Sequence, residues 1–252
     1  RGYIAEGLFG SLDEINKSAV RVDNDGNRLP TSETNGVWVG DVRYKDINGD
    51  GKIDFNDETN IGNPWPKLFG GFTNNFSYKG FDLSILVTGT FGNDIYNMLE
   101  MVNSKASRFY TSRNLMLKGT DYARIEMKDN QPTLANAGTM VPRITGSQIA
   151  NDNNYNVVSS RFVEDGSFIR VKNISLSYNL PTSLVSRQKL VRGIKATVGV
   201  QNIATFTKYS GYDPEVGASV GANVNAQNQA IGLDYGRYPL TPIYSFNIGV
   251  NF

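Results

Sequence analysis

Apolar and polar residues alternate with period two over five stretches of the chain, and each stretch predicts a half-buried β-strand. The clearest is the last, YSFNIGVNF. It places Tyr244, Phe246, Ile248, Val250 and Phe252 on one face and Ser245, Asn247, Gly249 and Asn251 on the other. In GIKATVGVQN, Ile194, Ala196, Val198 and Val200 alternate with Lys195, Thr197, Gly199 and Gln201. In KNISLSYNL, Ile174, Leu176, Tyr178 and Leu180 oppose Asn173, Ser175, Ser177 and Asn179. From Phe81 the odd positions Phe81, Leu83, Ile85 and Val87 share a face. The stretch before it is looser, because Asn74 interrupts the parity shared by Phe72, Phe76 and Tyr78. RGYIAEG at the start reads as the tail of a further strand.

The connections differ in kind. Tyr78-Lys79-Gly80 is a tight turn, so 68–78 and 81–91 read as a hairpin. The link from Asn179 to Gly193 is modest and contains Pro181. Long loops run over about 8–66, 92–165 and 206–240. Residues 92–165 show no strand pattern, only a short helix near 94–105. A compact soluble domain rarely carries loops of that size, whereas short turns on one side and long loops on the other suit a transmembrane barrel. The polar faces carry mostly Ser, Asn, Thr and Gly, which suits a wet interior better than a charged solvent face. The pattern points to an all-β fold, an antiparallel transmembrane β-barrel with long extracellular loops. A soluble β-sandwich also alternates and is the rival.

Composition narrows the function. Lys and Arg number 25 and Asp and Glu 24, so no basic excess marks a nucleic-acid partner. The absence of Cys and His removes thiolate chemistry, the commonest general base and the commonest zinc ligand. Asp82, Glu100, Glu126, Glu164 and Asp165 are scattered rather than paired, and the chain reads as a non-enzyme. No apolar run approaches the roughly 20 residues of a membrane helix. The start, RGYIAEGLFG, has neither Met nor signal-peptide architecture. This reads as a processed position or a piece of a longer protein.

One stretch is dense in carboxylates at fixed spacing: DINGDGKIDFND, residues 46–57. Calcium favours hard oxygens on a flexible loop. With Asp46 at position 1, Asn48 and Asp50 fall at 3 and 5, and Gly51 stands where a sharp turn needs glycine. Lys52 offers its carbonyl at 7, Asp54 acts through water at 9, and Asp57 closes the loop at 12. The flanks are not helical: VWVGDVRYK reads as extended, and Gly62-Asn63-Pro64-Trp65-Pro66 blocks a helix. The loop is therefore no calcium sensor. It is either a structural calcium site or a turn held by its own side chains.

Together these segments resemble the C-terminal region of the SusC/RagA family of TonB-dependent outer-membrane transporters of Bacteroidetes-type bacteria. The resemblance is carried by 44–97 (YKDINGDGKIDFNDETNIGNPWPKLFGGFTNNFSYKGFDLSILVTGTFGNDIYN), RFVEDGSFIRVKNISLSYNLP (161–181), QNIATFTKYSGYDPEV (201–216) and YPLTPIYSFNIGVNF (238–252). It implies a plugged barrel in the bacterial outer membrane that imports oligosaccharides or peptides, of which this chain holds the C-terminal strands only. It also implies a SusD-like surface lipoprotein as lid, and energy from TonB–ExbB–ExbD through an upstream plug and TonB box absent from these residues. Tyr244, Phe246, Ile248, Val250 and Phe252 would then face lipid, the remaining strands would come from the rest of the same barrel, and calcium would pin an outer loop. The alternative is a secreted calcium-binding β-sandwich that binds glycans.

Overall fold

A computed structural model describes residues 1–105, 114–185, 190–216 and 231–252. Parts of the expected 92–165 and 206–240 loops lie outside the described residues. The strands in chain order are β1 (Ala5–Leu8), β2 (Val20–Arg21), β3 (Val42–Tyr44), β4 (Lys52–Ile53), β5 (Leu68–Tyr78), β6 (Phe81–Phe91) and β7 (Asp94–Asn97). There follow β8 (Ile125–Lys128), β9 (Gln131–Leu134), β10 (Val163–Asp165), β11 (Phe168–Asn179), β12 (Gly193–Thr207), β13 (Leu233–Asp234) and β14 (Ile243–Asn251). No described helix is long and apolar enough to cross a membrane.

The chain divides into two compact units. One comprises Pro64–Asp94, Glu164–Gly232 and Gly236–Phe252. It is built on a five-stranded sheet in the order β14-β12-β11-β6-β5, with antiparallel neighbours throughout. All five alternating stretches are strands of this sheet. The β5–β6 hairpin closes as its spacing predicts, with Tyr78 paired to Phe81. Lys79 and Gly80 have φ of 46° and 87°. Two positive φ values in a two-residue loop match the strand twist, and glycine supplies one of them without steric cost. Among the described residues no strand pairs with the outer edge of β5 or of β14.

The other unit comprises Arg1–Asn63, Ile95–Val163 and Leu233–Tyr235. Much of what alternation leaves as loop lies here, with its own core. Phe9, Ile15, Val20, Leu29, Val37 and Val39 form one buried cluster. Tyr3, Leu8, Val42, Tyr44, Ile53, Ala123 and Val157 form another. The opening strand is present as β1, but its partner is β3. Helix α1 (Leu12–Lys17) starts where Ser11 caps it, its side chain accepting the Glu14 N–H, while the Glu14 carboxylate accepts the Gly10 N–H. Its Ile15 enters the core.

Residues 92–165 differ from expectation. They hold helix α2 (Met98–Asn103), where a helix is expected, but also β7 and the β8–β9 hairpin. These strands have four residues each. That is too short for a period to show, and Pro132 inside β9 argues against a strand by sequence.

Candidate functional site

The register of the large sheet sorts its side chains into two faces. Tyr244, Phe246, Ile248 and Val250 of β14 pair with Val200, Val198, Ala196 and Ile194 of β12. The same row continues through Ile174, Leu176 and Tyr178 of β11 to Ile85, Leu83 and Phe81 of β6. It ends on β5, where Phe76 and Tyr78 pair with Leu83 and Phe81. This apolar face is uncovered: Phe72 is 65 % exposed, Phe246 67 % and Ile248 60 %. Phe252, just beyond β14, is also exposed. The opposite face is mostly small and polar toward the Lys79–Gly80 turn, carries Leu86, Phe69, Phe168 and Arg170 toward the other end, and is hydrogen-bonded within itself. Ser177 Oγ lies 2.8 Å from Thr197 Oγ1, and Asp82 accepts from Ser77 Oγ at 2.7 Å and Asn179 Nδ2 at 2.8 Å.

A β-bulge changes the alternation within β11. Val171 and Asn173 pair with the consecutive residues Val87 and Leu86 of β6, which leaves Lys172 as the extra residue. Parity therefore flips, and Ile169 and Val171 join the apolar face while Arg170 turns to the polar one. Arg170, with its side chain 2 % exposed, donates to Asp213 and Glu215 at 2.6 Å each and to Thr205 Oγ1 at 2.8 Å. Lys172 adds an ion pair to Glu215 at 3.1 Å. Asp213 also accepts the Glu215 and Leu240 N–H groups at 2.9 and 3.0 Å. Asp213 thus ties the segment after β12 both to the Arg170 guanidinium and to the segment before β14. Sequence reasoning missed this cluster, although the phase slip in FIRVKNIS marks the bulge.

Burial alone would raise the Asp213 carboxyl. The Leu240 and Glu215 N–H groups and the Arg170 guanidinium outweigh it and hold the carboxyl below the usual range. A depressed folded-state value means that ionised Asp213 stabilises the fold above the unfolded value of about 4. That stabilisation is lost as pH falls through the folded value. Stability measured from pH 6 downward should therefore fall less steeply below about pH 4 in Asp213→Asn than in the parent. Parallel curves would refute the assignment.

In the other unit, Asp41 is 0 % exposed and holds three segments together. It accepts from Arg143 Nε and Asn154 Nδ2 at 2.8 Å each on one oxygen, and from the Trp38 N–H at 2.8 Å on the other. Arg143 Nη2 also donates to Asp41 at 3.2 Å and to the Glu33 carbonyl at 2.9 Å. Burial raises the Asp41 carboxyl, against the pull of Arg143.

The 46–57 loop belongs to the same unit and is shaped by its own side chains. Asp46 accepts the Gly49 and Gly51 N–H groups at 2.7 and 2.9 Å. Asn48 accepts the Asp50 N–H at 3.0 Å, and Asp50 that of Lys52 at 2.9 Å. Gly49 and Gly51 have φ of 76° and 81°, which the turn needs. Asp54 caps a 3₁₀ turn over Phe55–Asp57. Asp57 is fully buried and receives the Ile47 and Asp54 N–H groups at 2.8 and 2.9 Å. Among the described residues no three Asp or Glu side chains come together as a ready metal cage. The donors are nonetheless all hard oxygens. A carboxylate has about four lone-pair sites, so these hydrogen bonds do not exhaust them.

No protein-family model matches the chain. TonB-dependent receptor P3 of Formosa agariphila is 32 % identical over 210 residues, covering 82 % of this chain and 18 % of the relative. TonB-dependent receptor P26 of the same organism is 30 % identical over 236 residues, covering 94 % and 21 %. TonB-dependent receptor SusC of Bacteroides thetaiotaomicron is 25 % identical over 180 residues, covering 71 % and 16 %. Among solved structures, the RagAB peptide importer in its closed-closed state matches with a TM-score of 0.60 at 22 % identity, over 99 % of this chain and 23 % of that one. The chain thus spans about a fifth of the length of these relatives. An alternating sheet and this set of relatives define the class: the chain belongs to the TonB-dependent receptors, outer-membrane proteins of Gram-negative bacteria. Within that class it is similar to SusC at 25 % identity and shares its fold with the RagAB importer.

Proposed function

We propose that the chain forms part of the wall of a transmembrane β-barrel that imports oligomeric nutrients, oligosaccharides or peptides, with energy from TonB. The observation that carries this reading is the uncovered apolar face running across all five strands of the sheet. A soluble sandwich buries such a face under a second sheet. A barrel turns it to lipid and its small polar residues to the lumen. Tyr244, Phe246, Ile248, Val250 and Phe252 then face outer-membrane lipid. The free edges of β5 and β14 require partners, because lipid leaves no water to satisfy open strands, and the rest of the same barrel supplies them. Barrels of this transporter class have about 22 strands. The Lys79–Gly80 turn lies on the periplasmic side and the 46–57 loop outside the cell.

Two partners complete the proposal, both from the family: a SusD-like lipoprotein lid over the mouth, and TonB–ExbB–ExbD engaging an upstream plug. In the test, the gene for the full receptor is deleted in its host, and peptides and oligosaccharides are supplied as sole nutrients. Growth should fail on one class, and the tagged receptor should co-purify with a surface lipoprotein. Normal growth on both, with no lipoprotein retained, would remove the importer reading.

Structural calcium in the outer loop is part of the same proposal. Asp46, Asn48, Asp50 and the Lys52 carbonyl would supply oxygens directly, with Asp54 through water and Asp57 closing the loop. Extracellular sites of this type bind at about 10⁻⁴–10⁻³ M. Calcium titration of the purified receptor should release heat in that range and protect the loop from protease, and Asp46→Ala with Asp50→Ala should abolish both. Equal cleavage in calcium and in chelator would show a turn held by its side chains alone.

A further inference from the structure

We propose that a glycine notch in the apolar face of the sheet, at the end away from the Lys79–Gly80 turn, is a slot for one acyl chain of a membrane lipid. Along most of this face, paired positions both carry side chains, as at Phe76 with Leu83 and Phe72 with Val87. Gly70 pairs with Gly89, so two neighbouring strands lack a side chain at the same level. Ile169 is the partner of Gly89 on its other side. The result is an open cavity of about 320 Å³. Gly70 forms the open floor, since a Cβ added there meets nothing within 4 Å. Gly89 is shielded by Phe91, whose ring would lie 3.0 Å from an added Cβ. Leu68, Phe72, Phe91 and Ile169 form apolar walls, no lining residue is charged, and Thr88 is the one lining residue with a polar side chain.

The occupant follows from what the slot opens onto. An open apolar groove gains free energy when an apolar guest removes its surface from water. The slot is continuous with the face that the proposed function assigns to lipid, so its immediate surroundings are acyl chains. A chain lying between Phe72 and Phe91 over Gly70 buries apolar surface on both partners without a polar cost. Because the turn-bearing end is periplasmic in that reading, the lipid belongs to the outer leaflet. The inference rests on the lipid-facing assignment, and its test separates the two.

In a full-length receptor freed of other cysteines, Leu68→Cys at the rim and Phe76→Cys farther along β5 each carry a fluorophore. The proteins are reconstituted in phosphatidylcholine vesicles containing increasing fractions of lipid with brominated acyl chains. Quenching at Leu68 is expected to half-saturate at a lower brominated fraction than at Phe76. Gly70→Leu, which has room for its side chain and suits an extended strand, is expected to abolish that difference. Identical curves at the two positions would overturn the slot while leaving the face in lipid. A shielded Leu68 beside a quenched Phe76 would also overturn it, and would mean that a strand from the rest of the chain fills the notch. No quenching at either position would overturn the lipid-facing assignment itself.

Discussion

Replacing Arg143 with alanine is expected to destabilise its unit by about 3–5 kcal/mol, the range for breaking a buried ion pair by removing one partner. Asp41 has no exposed surface, and Arg143 reaches it through both Nε and Nη2. Without the guanidinium, the carboxylate keeps, among the described residues, the Asn154 amide and the Trp38 N–H as donors. Burial already favours the protonated acid. The variant must either bind a proton on Asp41 or open the segments around it. Replacing both partners with apolar residues of similar volume, Asp41→Leu with Arg143→Met, should recover much of the loss, because no uncompensated charge remains. Hydrogen exchange in the full receptor reads this directly. Amides around residues 38–44 and 150–157 should exchange much faster in Arg143→Ala and nearly as in the parent in the double variant. Unchanged exchange in the single variant would show that the pair does not pin these segments.

Ile248→Arg on the apolar face is the second large effect. Near the bilayer midplane an arginine on a lipid-facing strand costs about 2–4 kcal/mol, and the cost falls toward the interfaces. Its neighbour Asn247 pairs with Thr197 on the polar face. If the sheet is barrel wall as proposed, Asn247→Arg should cost much less, since its side chain would then enter a wet lumen. Folding yield into vesicles, read as resistance of the barrel to mild heating in detergent, should drop for Ile248→Arg and stay near the parent for Asn247→Arg. The reverse order would place the polar face in lipid and remove the barrel reading. Equal tolerance of both would indicate a sheet in water.

Alternation is a local property of a strand, so the sequence alone determined most of the large sheet. Tyr244 to Val250, Ile194 to Val200 and Phe81 to Val87 carry their face assignment in their own period, and Lys79-Gly80 carries its turn in the backbone freedom of two residues. The spacing from Asp46 to Asp57 was likewise legible as a turn rich in side-chain oxygens, and the backbone bonds of Asp46, Asn48 and Asp50 realise that turn. The tertiary structure alone decided everything that depends on distant partners. The phase slip in FIRVKNIS hints at the bulge at Lys172, but only the pairing of β11 with β6 shows that it sends Arg170 to Asp213 and Glu215, 43 and 45 positions away. Asp41 meets Arg143 and Asn154 across 102 and 113 positions, a pairing that no local period encodes. The short strands at 94–97, 125–128 and 131–134 form because a partner supplies the hydrogen bonds, in segments too brief to show alternation. The slot over Gly70 has the same origin: either glycine alone is a weak point in one strand, and pairing puts Gly70 and Gly89 at one level.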